Sequence, residues 1–119
     1  MRHVNVLAAG DRTRVAGEQI GATLYELADG QSAAAYHFHH GVEEWLVVVA
    51  GSPTVRTPEG ERLLRAGDTL CFPAGPTGAH QVTGPGTVLV VAESRLPDLV
   101  EQPESGAVEV RSAFRGAGT

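Results

Sequence analysis

The sequence predicts an all-β domain of the jelly-roll barrel type. Three observations carry that reading. Short apolar, β-branched stretches follow one another at close intervals, and 15 glycines and 7 prolines fall between them as the punctuation of tight turns. No window sustains the helical period. Eight or nine such stretches in 119 residues indicate strands packed as a sandwich or closed into a barrel.

Up to about Gly17 the chain is weakly patterned, and no element is assigned there. Residues 19–27 (QIGATLYEL) read as a strand ending at the turn Asp29-Gly30. Residues 32–38 follow as a strand bearing the first histidines, and 45–50 (WLVVVA) as a strand closing at Gly51-Ser52-Pro53. Thr54–Thr57 and 62–65 are short strands around the turn Pro58-Glu59-Gly60-Glu61. Ala66-Gly67-Asp68 turns into the strand 69–72, which runs into a loop with two prolines and two glycines at 73–78. Strands 79–83 and 87–93 flank Gly84-Pro85-Gly86, which reads as a hairpin connection. A helical turn is expected after Leu96-Pro97, then a last strand at 107–111 and a frayed tail from Gly116. With no linker or repeat, the expectation is a single domain over 1–119.

Composition narrows the function. A formal charge of −5, with all nine basic residues arginines scattered along the chain, argues against nucleic acid or an anionic membrane as partner. Cys71 is the single cysteine, which excludes an intramolecular disulfide and fits a reducing compartment. Neither a signal-peptide pattern nor an apolar run of membrane-spanning length is present, so a soluble, cytoplasmic protein is expected.

The chemistry concentrates in one constellation. His37 and His39 lie two residues apart on an expected strand, so both rings project from one face. Glu44 follows a short turn that would return it beside them as a hairpin, and His80 opens a later strand. Three imidazoles and a carboxylate make an N3O set for one divalent metal: Zn, Fe, Mn, Ni or Cu.

The segment from Gly30 through His37, His39 and Glu44 to Gly51 resembles the first cupin motif, a glycine, H-x-H, a glutamate and a closing glycine. Gly67 through Pro73-Ala74-Gly75 to His80 resembles the second. The chain is thus similar to small single-domain bacterial cupins over residues 30–93, which implies a jelly-roll (double-stranded β-helix) barrel with His37, His39, Glu44 and His80 as metal ligands. Counting back from Gly51 selects Glu44 over Glu43. Two departures stand out: the gap from Gly75 to His80 is longer than the family's, and Gly84 stands where an asparagine is common.

Other residues receive plainer readings. Glu43 and His40 are weak acid–base candidates, His40 more simply a solvent-facing rim residue. Cys71 reads as a small buried core residue. Tyr36 and Phe38 should face away from the metal, while Tyr25, Arg56 and Gln81 are candidates to line the pocket. Residues 45–50 are apolar on both faces, so the outer face needs cover, and the resemblance implies a homodimer. The expected function is metal-dependent chemistry on a small oxygenated organic molecule, as a dioxygenase, isomerase or cyclase. The alternative is a non-catalytic module that binds a sugar-like or acidic ligand.

Overall fold

The computed structural model describes residues 1–8, 10, 12–94 and 98–111. It is an all-β fold with eleven strands among the described residues, more than the eight or nine expected. They are β1 (Arg12–Ala16), β2 (Ile20–Leu27), β3 (Phe38–His39), β4 (Glu44–Gly51), β5 (Thr54–Thr57), β6 (Gly60–Leu63), β7 (Thr69–Phe72), β8 (Gln81–Thr83), β9 (Gly86–Glu93), β10 (Asp98–Gln102) and β11 (Ala107–Arg111). A five-stranded antiparallel sheet runs β1-β2-β9-β4-β7, and two three-stranded sheets run β11-β10-β3 and β6-β5-β8.

Four expectations change. The weakly patterned start holds β1, whose arginines masked the alternation. The expected strand 32–38 shrinks to β3 plus isolated bridges at Ser32 and His37. Where a helical turn was expected, Asp98–Gln102 form β10; Leu96, Pro97 and the tail from Gly116 lie outside the described residues. Gly84-Pro85-Gly86 is not a hairpin, because β8 pairs with β5 whereas β9 pairs with β2 and β4. The chain changes sheets there, and close approach explains both glycines. A Cβ on Gly84 would meet the Leu27 and Ala28 carbonyl oxygens, and one on Gly86 would meet the Pro53 ring.

Strand alternation sets the two faces of the large sheet. Pairing of Glu44, Leu46 and Val48 with Ala92, Val90 and Val88 puts all six on the inner face. Leu46, Val48 and Val88 join Leu27, Val55, Leu64, Phe72 and Val82 in the core. The core fills one end of the barrel; at the other end the same inner face becomes polar, beginning at Glu44. Trp45 points outward and is 45% exposed. Cys71, opposite Trp45 in register, is also exposed rather than buried as expected, because it shares that outer face.

Candidate metal centre

The polar end of the barrel is a cavity of about 410 Å3, with His37, His39, Glu44 and His80 on its wall. Different elements deliver them. His39 lies on β3, Glu44 opens β4, and His37 and His80 face each other in an isolated antiparallel bridge with backbone bonds in both directions. The hairpin expected between His39 and Glu44 does not form, since β3 pairs with β10. Glu44 reaches the histidines across the barrel interior instead.

His39 Nε2 lies 2.6 Å from Glu44 Oε1, and His80 Nε2 lies 3.3 Å from Glu44 Oε2. The ligand atoms of His37, His39 and Glu44 all fall within 4.8 Å of one another. The His37 ring sits edge-on to His39 at 5.1 Å and 4.8 Å from that of His80. Phe72 stacks on the His80 ring at 3.7 Å and fixes its plane.

Each ring is also held from behind. His37 Nδ1 donates to the Ala35 carbonyl at 2.7 Å, His80 Nδ1 to the Gly78 carbonyl at 2.8 Å, and His39 Nδ1 to Asp98 Oδ2 at 2.7 Å. A carbonyl oxygen only accepts, so the proton of each neutral ring sits on Nδ1 and the lone pair on Nε2. With all three rings neutral, as a bound cation requires, three lone pairs converge with a carboxylate. His39 Nε2 is shielded from solvent and, despite its closeness to Glu44, has no aligned hydrogen-bond partner. Such an arrangement fits a cation, and the N3O donor set suits a transition metal.

Without a metal, the electrostatics set the rings apart. Burial pushes the His37 pKa down, favouring the neutral ring a metal requires. At His39 burial acts in the same direction, but Glu44 and Asp98 outweigh it and raise the pKa. Burial would raise the Glu44 pKa, yet His39 and His80 hold it well below the usual carboxylate range.

These shifts predict how the protein behaves with its metal stripped. A raised histidine pKa adds stability below the ordinary 6.5, lost as pH rises through the folded value. A lowered carboxylate pKa adds stability above the ordinary 4.5, lost as pH falls. Both contributions are complete between pH 4.5 and 6.5. The lowered His37 pKa opposes them below 6.5, so the melting temperature of chelator-treated protein should peak in that window more sharply in His37→Ala than in the wild type, and Glu44→Gln should remove the peak. Saturating divalent metal should reverse the trend above it, because protons compete with metal for the rings.

Asp98 was invisible as a site residue in the sequence, since it falls in the segment read as a helical turn. It is 5% exposed, and its second oxygen accepts from the Gly41 backbone at 3.2 Å. The long gap before His80 is filled by a 3-10 turn, Pro76–Gly78, whose last carbonyl is the one that holds His80.

Glu43 and His40 stay outside the cavity. Glu43 accepts from Trp45 Nε1 at 3.1 Å on the outer face, and His40 contacts Glu101 at 3.2 Å on the surface. Tyr25 and Gln81 line the cavity as expected. Arg56 does not; it makes a two-pronged ion pair with Glu104 and lies over the Tyr36 ring. Phe38 is buried away from the cavity.

The family model described as the cupin domain matches residues 23–92. Among solved structures, a candidate sugar phosphate isomerase from Acidithiobacillus ferrooxidans is 26% identical with a TM-score of 0.67, covering 78% of this chain and 60% of that one. The chain thus spans under two thirds of that relative's length. A cupin-superfamily sugar phosphate isomerase from Silicibacter pomeroyi is 24% identical with a TM-score of 0.70, covering 82% and 73%. KdgF from a Halomonas species shares the fold at 19% identity and a TM-score of 0.60, covering 71% and 82%. No curated protein matches the chain.

Proposed function

The chain belongs to the cupin family, and from that premise we propose that it is a metal-dependent enzyme acting on a small oxygenated organic molecule. His37, His39, Glu44 and His80 are the proposed ligands of one divalent ion. The observation that carries this reading is the gathering of three imidazole rings around the Glu44 carboxylate, each ring fixed through its Nδ1. A cation held there would supply Lewis-acid polarisation of a carbonyl or hydroxyl oxygen.

The chain's own residues do the rest. Val42, Leu46, Val88 and Val90 close the cavity floor and keep bulk water from the inner end. Thr23, Tyr25 and Gln81 offer hydroxyl and amide groups along the wall to orient a polyhydroxylated ligand. The names of the Acidithiobacillus and Silicibacter relatives support isomerisation between hydroxyl and carbonyl forms over oxygenation. Such a reaction moves a proton between neighbouring carbons, and Tyr25, Glu93, Asp98 and Glu109 are the wall residues outside the proposed ligand set whose side chains can exchange one.

The test is turnover of hydroxyaldehydes and hydroxyketones by protein loaded in turn with Zn, Mn, Fe, Ni and Cu, followed by proton NMR in deuterated water. Isomerisation with solvent deuterium at the migrating position is expected, and it should vanish in Glu44→Gln. Saturable binding without product would instead favour the non-catalytic module. A cytoplasmic homodimer is part of the proposal, with a second copy covering the outer face around Trp45, Val49 and Ile20. Among the described residues no helix is long and apolar enough to cross a membrane.

A further inference from the structure

The inner face of the five-stranded sheet carries a second polar feature, remote from the histidines. Arg12 and Arg14 on β1 both line the cavity, which brings two of the nine arginines of an acidic chain onto one wall. In register, Arg14 stands beside Thr23 and Arg12 beside Tyr25. Each is steered by its neighbour: Arg14 Nη1 donates to Thr23 Oγ1 at 3.3 Å, and the Arg12 guanidinium lies 5.4 Å from the Tyr25 ring centroid.

Gly21 shows that the Arg14 position is built. It is a buried glycine inside β2 without the left-handed backbone that calls for glycine, and a strand interior is weakened by one. Its missing side chain makes room. A Cβ there would sit 2.7 Å from Arg14 Nη2 and 3.1 Å from Cζ, so the guanidinium occupies the space over the glycine. Gly21 pairs with Ala92, and Ala92 pairs with Glu44. The row from arginine to proposed metal ligand is therefore Gly21, Ala92, Glu44, two strand spacings or about 10 Å. Its middle is floored by the smallest side chains available, which leaves open space between a cationic pole and the histidine pole.

Acidic groups line the same cavity as well. Glu93 accepts from the Glu43 backbone at 3.4 Å, Glu109 lies 3.6 Å from Arg111, and Asp98 is held by His39.

We propose that Arg14, seated over Gly21 and assisted by Arg12, binds an anionic oxygen group of the ligand whose other end faces His37, His39, Glu44 and His80. This deepens the reading of the cavity as a metal-dependent site: the ligand is a small polar molecule bearing a carboxylate or phosphate several atoms from its reacting end. A planar guanidinium recognises either oxyanion through paired donors.

Calorimetric titration of metal-loaded protein with glucose, gluconate and glucose 6-phosphate tests it. At least one charged probe should bind about tenfold or more tightly than glucose, and the tighter of the two identifies carboxylate or phosphate. Arg14→Met should erase that preference, and Gly21→Ala should weaken it although it removes no charge. Arg14→Lys, which keeps the charge and loses the fork, should restore it only in part. Bound metal should stay unchanged in all three variants, and melting curves establish that they fold. Equal binding of all three probes, no binding of any, or a preference that survives Arg14→Met overturns the proposal. Titrating metal-stripped protein with inorganic phosphate separates the two readings. Binding by wild type and not by Arg14→Met upholds the arginine pole even if the histidines hold no metal.

Discussion

Replacing His39 by alanine should weaken divalent metal binding by more than about 100-fold, since even partners outside the ligand set contribute 10–100-fold. His39 is the centre of the cluster: Nε2 meets Glu44, Nδ1 meets Asp98, and the ring is 7% exposed. Its loss leaves two buried carboxylates facing an empty space, so the variant should also melt lower. His37→Ala provides the cleaner comparison, because that ring is only half-buried and contacts no carboxylate directly. Asp98→Asn should fall in the 10–100-fold range itself. An asparagine has one accepting oxygen, whereas Asp98 accepts from both His39 and the Gly41 backbone, so either orientation turns an amide NH2 against a donor. Competition against a chromophoric chelator measures all three. Wild-type affinity in His37→Ala would contradict the ligand assignment.

Gly78→Ala should be the most damaging single methyl group in the chain. A Cβ on Gly78 would collide with the carbonyl oxygen and carbon of Pro73, both backbone atoms that cannot swing aside. Overpacking of this kind costs about 1–3 kcal/mol or more, which lowers Tm by roughly 5–15 °C in a domain of this size. The Gly78 carbonyl is also the group that holds His80 Nδ1, so metal affinity should fall together with Tm. A variant with unchanged melting and metal binding would show that the turn before His80 is not the fixed support described above.

The barrel was legible because strand alternation and turn residues agree over residues 19–93, and the two histidine motifs fall inside that span. Motif spacing selects Glu44 over Glu43; in the structure Glu44 lines the cavity while Glu43 lies outside it, and alternation explains why Trp45 faces out. Asp98, β1 and β10 escaped notice for one reason. Neither strand shows a clean apolar stripe: β1 turns Arg12 and Arg14 toward the cavity, and β10 buries Asp98 while exposing Leu99. Arg14 and Gly21 were unreadable in the same way: the glycine's purpose is the guanidinium above it, a contact between strands that no local pattern records. Cys71 was misread because its strand buries Phe72 and exposes the alternate face.

The central claim is that His37, His39, Glu44 and His80 form one metal centre. Elemental analysis of untagged protein, as purified and after reconstitution with each candidate divalent ion followed by desalting, tests it most directly. The account predicts close to one metal ion per chain in the wild type and almost none in His80→Ala. A wild-type protein that retains no metal after reconstitution, or a His80→Ala protein that retains as much, would contradict it.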